Sequence, residues 1–135
     1  MTRAKEIVDR MMQNDAFSKW LGIEVIEVGE GISTLRMQVR AEMLNGFDVL
    51  HGGITYSLAD SSLAFASNAY GRRSMSIENS ISHTAPCKIG DVLRTKTVER
   101  SLSNRIGIYD ISVLNQDDKV VALFKGTVYR SEKEW

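Results

Sequence analysis

The sequence predicts an α+β fold in which one long central helix is wrapped by a curved antiparallel sheet, with a further helix at the N-terminus. Three observations carry this. The span 54–69 is long enough for a helix, yet it is built from Ser57, Ala59, Ser61, Ser62, Ala64, Ala66, Ser67 and Ala69. Side chains this small let other elements approach the helix axis closely, which a surface-coating helix does not need. Downstream, segment after segment alternates with a period of two, the mark of strands. Finally, 135 residues with 43% hydrophobic content and one proline make a single globular domain over 1–135, large enough for one core.

Taken in order, residues 1–20 read as a helix, because Ile7, Val8, Met11 and Met12 recur near one face among charged residues. Gly22 suits the left-handed exit that ends such a helix. Ile23, Val25 and Val28 lead to the turn Gly29-Glu30-Gly31, and Leu35, Met37 and Val39 return on one face of a strand. Residues 45–53 form a loop before the central helix. Met75, Ile77 and Ile81 share a period of two. The segments 92–101, 106–114 and 120–129 follow, the last after the turn Asn115-Gln116-Asp117-Asp118. Short connections make these three antiparallel neighbours. A sheet of about five strands results, and the polar tail 131–135 is expected to fray. One helix cannot shield such a sheet, so at least a dimer is expected.

Composition excludes several function classes. Lys plus Arg and Asp plus Glu are 17 each, so the formal net charge is zero and no field draws the chain to nucleic acid. No apolar run approaches the length of a membrane span, and the N-terminus lacks a signal-peptide core, so a cytoplasmic protein is expected. The histidines are His51 and His83 and the one thiol is Cys87, without the paired spacing that anchors a metal; no metal and no cofactor are expected.

The chemistry-bearing residues concentrate in Asn45-Gly46-Phe47-Asp48-Val49-Leu50-His51-Gly52-Gly53, followed by Asp60. Gly52-Gly53 opens the long helix. The first N–H groups of a helix have no internal partner, and with no side chain in the way they can receive a developing negative charge. Asp60 is mid-helix, where Asp is unfavourable, and has no basic residue within four positions. It is a candidate general base or nucleophile. His51 and Asn45 are candidate hydrogen-bond partners, although each alone also suits a purely structural role. Asp60 lies eight residues beyond Gly52. That is about 12 Å along a helix, too far for both to serve one carbonyl. Two antiparallel copies of the helix would place each Asp60 opposite the partner's Gly52.

Asn45, His51-Gly52-Gly53 and Ser57-Leu58-Ala59-Asp60 together resemble the hotdog-fold acyl-CoA thioesterases of the phenylacetate-degradation (PaaI-like) type. Tyr70-Gly71, the loop from Pro86 to Gly90 with Asp91, and the strand from Val121 to Gly126 extend the resemblance over nearly the whole chain. The resemblance implies a catalytic Asp60, a Gly52 N–H that polarises the thioester carbonyl, Asn45 orienting water or substrate, and His51 in support. It further implies an acyl-CoA substrate, aryl-acyl groups such as (hydroxy)phenylacetyl included, and a homotetramer built as a dimer of dimers. Phe47, Leu50, Gly53, Leu58, Ser76 and Ile77 are expected to line the acyl pocket. Arg72, Arg73, Lys88 and Arg105 are candidates for the CoA phosphates by charge and loop placement. Glu78 and His83 are unusual polar residues in a strand expected to be apolar, and they bear on the shape of that pocket. Two other functions remain open: a 3-hydroxyacyl thioester dehydratase of the same fold, and a non-catalytic acyl-CoA or aromatic-ligand binding protein.

Overall fold

A computed structural model describes residues 1–135. The N-terminal helical region is two helices, not one. α1 spans Arg3–Asn14 and α2 spans Ala16–Leu21. The break is Asp15, whose backbone leaves helical geometry while its carboxylate accepts from the Ser18 N–H at 2.9 Å, capping α2. Gly22 closes α2 in the left-handed conformation, as its lack of a Cβ allows.

Six strands follow the expected alternation, one more than the sequence suggested. They are β1 (Glu24–Gly29), β2 (Ile32–Gln38), β3 (Arg72–His83), β4 (Val92–Leu102), β5 (Ile106–Leu114) and β6 (Val120–Glu134). They form one sheet in the order β1-β2-β4-β5-β6-β3, and every pairing is antiparallel. β4, β5 and β6 are consecutive neighbours, joined by short turns. β3 crosses over to pair with β6, leaving β3 and β1 as the two edges.

α3 (Gly52–Asn68) lies across the sheet and packs against every strand. The small residues do what their composition implied. Ala59, Ser62, Ala66 and Ser67 are buried, alongside Leu58, Leu63 and Phe65. The Ser62 hydroxyl sits within hydrogen-bond range of Ser33, Thr95 and Thr97 at 2.9–3.3 Å, tying the helix to β2 and β4. A larger residue there would push helix and sheet apart and cost the Ser33 hydroxyl its Ser62 partner. Apolar side chains of β2, β4, β5 and β6, including Leu35, Met37, Leu93, Tyr109, Ile111 and Val128, complete the core.

The tail does not fray. β6 continues to Glu134, which pairs with Arg72 of β3. Trp135 donates its indole N–H to Asn68 Oδ1 at 2.9 Å, and the guanidinium groups of Arg73 and Arg10 lie 4.5 and 5.5 Å from its ring centroid. The polar pattern of Ser131-Glu132-Lys133-Glu134 reads as solvated, but backbone pairing and one terminal aromatic anchor it.

Candidate active site

Residues 45–53 lead into α3 from a short 3-10 helix, Ala41–Met43, that follows β2. Asn45 organises this loop: its Oδ1 accepts from the N–H groups of Phe47 at 2.9 Å and Val49 at 3.4 Å. Its amide nitrogen has no protein partner, and the residue borders a cavity. His51 is the N-cap of α3, with Nδ1 accepting from the Gly53 N–H at 2.9 Å. The Gly53 donor is therefore used, whereas the Gly52 N–H has no acceptor within the chain. An unpaired donor at the positive end of a 17-residue helix is a place for a carbonyl oxygen that gains negative charge.

The cavity in front of Gly52 has a volume of about 380 Å³ and is bordered by Asn45, Leu50, Thr55, His83 and Cys87, among others. His83 closes one side. A Cβ built on Gly52 would lie 2.9 Å from its Nε2, so glycine is needed for the two to meet. The Cys87 thiol is buried, which pushes its pKa up to about 11, with the Asp91 charge adding to the effect. It is protonated at neutral pH and is no nucleophile there.

Asp60 opens on a different cavity of about 290 Å³, shared with Leu63, Ala64, Ser67, Ser74, Met75, Ser76 and Val128. Burial raises its carboxyl above the usual range; an Asn79 hydrogen bond opposes this and the Asp15 charge adds to it. Asn79 sits on β3 and donates its amide N–H groups to Asp60 Oδ1 at 3.1 Å and to the Tyr56 hydroxyl at 3.0 Å. Tyr56 in turn packs edge-on against Phe124 at 5.5 Å. Asn79 therefore fixes the orientation of the carboxylate.

Several of the expected site residues divide between two cavities. Asn45, Leu50 and Gly52 share one cavity, with His51 capping the helix beside it, and Asp60 and Ser76 share the other. Leu58 is fully buried in the core and lines neither. Phe47 and Ile77 are 87% and 60% exposed and line neither cavity within one chain. The basic candidates also divide. Arg72 donates to the carbonyls of Asn104 and Arg130 and to the Asn104 side chain, and Arg105 bridges Glu132 and the Arg130 carbonyl. Arg73 stacks on Trp135. Lys88 follows the cavity-lining Cys87 in sequence, is exposed, and makes no side-chain ion pair.

A family model described as the thioesterase superfamily matches residues 47–122, which contain the Gly52 turn, α3 and strands β3, β4 and β5. This chain belongs to the thioesterase superfamily. It is 40% identical over 120 residues to the acyl-coenzyme A thioesterase PaaI of Escherichia coli K12, an alignment spanning 89% of this chain and 86% of that one. A putative esterase of Archaeoglobus fulgidus is 37% identical over 131 residues, 97% of this chain and 85% of the relative. The solved structure of the E. coli PaaI protein from the phenylacetic acid degradation operon superposes with a TM-score of 0.95 at 37% identity. The superposition covers 98% of this chain and 96% of that one. The architecture is therefore the hotdog fold, and the kinship is with PaaI-type thioesterases.

The sequence reading assigned no role to Asn79 and gave His83 only a bearing on pocket shape. For His83 the signal was present, since it and Glu78 stood out as polar residues in a strand expected to be apolar; Asn79 did not stand out. What was missing was the register of β3 against β6, which sets both side chains toward α3.

Proposed function

We propose that this chain hydrolyses acyl-CoA thioesters, aryl-acyl esters such as (hydroxy)phenylacetyl-CoA among them, to the free acid and CoA. It does so at sites shared between two copies of the chain, in a homo-oligomer that is at least a dimer and, as a dimer of dimers, a tetramer. The observation that carries this reading is the unpaired Gly52 N–H at the start of α3, in a cavity that does not contain Asp60. Kinship with the E. coli PaaI thioesterase supports the acyl-CoA substrate, and the phenylacetic acid operon of that relative supports the aryl-acyl group.

In the reaction, the thioester carbonyl oxygen accepts the Gly52 N–H. Asp60 of the second chain takes a proton from water, whose oxygen attacks the carbonyl carbon. The alternative route is attack by the Asp60 carboxylate itself, giving an anhydride that water then opens. Both require Asp60 ionised and yield the same products. The tetrahedral oxyanion is held by the Gly52 donor and collapses, expelling CoA thiolate, a good leaving group that needs no strong general acid. Asn45 presents its free amide N–H groups to water or substrate, and His51 keeps the helix terminus rigid by capping Gly53. Lys88, exposed and without an ion-pair partner, is the strongest candidate for a CoA phosphate.

The test is a panel of aryl-acyl, benzoyl and straight-chain CoA esters, read with a thiol-reactive dye. Turnover, fastest on aryl-acyl esters, is expected. Tight binding without turnover would overturn the hydrolase reading in favour of a binding protein. Loss of water from 3-hydroxyacyl-CoA without release of thiol would overturn it in favour of a dehydratase.

A further inference from the structure

Tyr56 and Asp60 are one helical turn apart on α3 and share the face that meets β3. Asn79 of β3 pairs across the sheet with Gly126 of β6 and spends both amide hydrogens on that face. One goes to the Tyr56 hydroxyl at 3.0 Å and the other to Asp60 Oδ1 at 3.1 Å. Asp60 Oδ2 accepts nothing within the chain and is not buried. The other end of the amide is badly placed. Asn79 Oδ1 is buried without a hydrogen-bond partner. It lies 2.9 Å from where a Cβ on Gly126 would stand, a position that Leu63 and Phe124 also crowd. A buried carbonyl without a donor costs stability. Turning the amide over gives no relief. It would bury an N–H group without an acceptor and set the carbonyl against the Asp60 carboxylate. A leucine, branched at the same atom, would leave nothing unpaired, so packing does not explain an asparagine here.

We propose that Asn79 is a positioning residue for the reaction: it occupies Asp60 Oδ1, so that Oδ2 is the oxygen that meets the reacting water or the thioester carbon. The inference rests on the hydrolase reading of this site. Asn79 acts through Asp60 in two ways. Holding one carboxylate oxygen fixes the plane of the group and with it the direction of Oδ2. The same hydrogen bond favours the ionised form, which both routes require, against the burial that disfavours it. The charge of Asp15, from the start of α2, adds to the burial, and Ser67, Ser74 and Ser76 border the cavity with Asp60. In the base route one O–H bond of water breaks, its proton goes to Oδ2, and the water oxygen bonds to the carbonyl carbon before CoA thiolate departs. In the nucleophile route Oδ2 itself forms that bond. Asn79 gives up no proton in either. The unpaired Oδ1 then marks a residue kept for chemistry at the expense of stability.

Kinetics on a CoA ester, pH–rate profiles and melting curves test this in Asn79→Leu and Asn79→Asp, both close to Asn in shape. Leu removes the donor and the unpaired carbonyl together. That variant should melt at or above the wild type, while kcat falls by about 10-fold to 10²-fold, the scale of a misaligned reacting group. Its acid limb should move to higher pH, because ionised Asp60 loses a hydrogen bond. Asp replaces the donor with a like charge, and the two carboxyls titrate as a pair, so its limb should lie higher still. Carbon NMR of the Asp60 carboxyl should show the same order of titration without reference to rate. Wild-type kcat in the Leu variant, or an Asp60 titration that does not move whatever happens to kcat, would overturn the positioning role and leave the hydrolase intact. The same criteria apply to the Asp variant, which decides the matter alone if the Leu variant does not fold. Absence of turnover by the wild type on every ester would overturn the hydrolase reading and this inference with it.

Discussion

Replacing Asp60 with Asn should move activity and stability in opposite directions. The substitution keeps the size of the side chain, and the carbonyl of the new amide can still accept the Asn79 N–H that now reaches Oδ1 at 3.1 Å. What it removes is a charge. Burial disfavours that charge, so the Asp60 pKa is raised in the folded state. A carboxyl whose folded pKa is raised binds its proton more tightly in the native than in the unfolded chain. The native state is therefore favoured at pH values below the ordinary carboxylate pKa. That advantage is lost as pH rises from there through the raised value. Above both, the ionised group is a standing cost that Asn does not carry. The Asp60→Asn protein should thus melt at or above the wild-type temperature at neutral pH, and the difference should vanish in acid. Activity should fall instead. A lost general base is worth about 10²–10⁴ in rate, or roughly 3–5 kcal/mol of transition-state stabilisation. The measurements are kcat and KM on the best CoA ester, beside melting curves across pH. Wild-type kcat would refute Asp60 as the reacting acid. A lower melting temperature at neutral pH would show the carboxylate to be a structural element and refute the reasoning from burial.

The same geometry bears on pH, on CoA recognition and on the terminal strand. The acid limb of kcat/KM should lie above the ordinary aspartate pKa, since the reacting form is the ionised one and burial raises the pKa of Asp60. A pH–rate profile reads this, and a limb at or below the ordinary value would contradict it. Lys88→Ala should raise KM about severalfold with kcat intact, whereas truncation of the acyl-CoA to a thioester lacking the nucleotide should abolish the difference. Removing residues 131–135 should lower the melting temperature, because it deletes the Trp135 contacts with Asn68, Arg73 and Arg10, worth about 1–3 kcal/mol together; an unchanged melt would show the terminal strand to be idle.

Much of the fold was legible because its signals are local. The small-residue helix declares that something packs close, and its buried Ala59, Ser62 and Ala66 meet the sheet as that composition requires. Strand alternation and turn chemistry located the strands. What was not legible depends on which residues meet across the chain. Asn79 reaches Asp60, and His83 reaches Gly52, only because β3 pairs with β6 at one register and not another. A slip by one residue would turn both side chains away. The tail misled for the same reason: its polar pattern reads as solvated, while its backbone pairs with the start of β3. Arg72 and Arg105 looked free by charge and loop placement, but their guanidinium groups are engaged by strand-end carbonyls and Glu132. The separation of Gly52 from Asp60, in contrast, could be read from spacing alone. Eight helical residues separate Gly52 from Asp60, and they open on different cavities.

The central claim is that one active site takes its Gly52 terminus from one chain and its Asp60 from another. Complementation between two inactive variants tests it most directly. One is Asp60→Asn. The other is Gly52→Val, whose side chain would fill the approach to the helix N–H and displace the His83 ring that lies 2.9 Å from a Cβ at that position. Each parent should be nearly inactive yet assemble like the wild type. Subunits mixed in equal amounts and allowed to exchange form hybrids in which one of the two sites joins an intact Gly52 to an intact Asp60. About half of the dimers are hybrids, so the mixture should recover about a quarter of wild-type activity. Activity no higher than that of the separate parents, in a mixture shown to contain hybrids, would contradict the shared site.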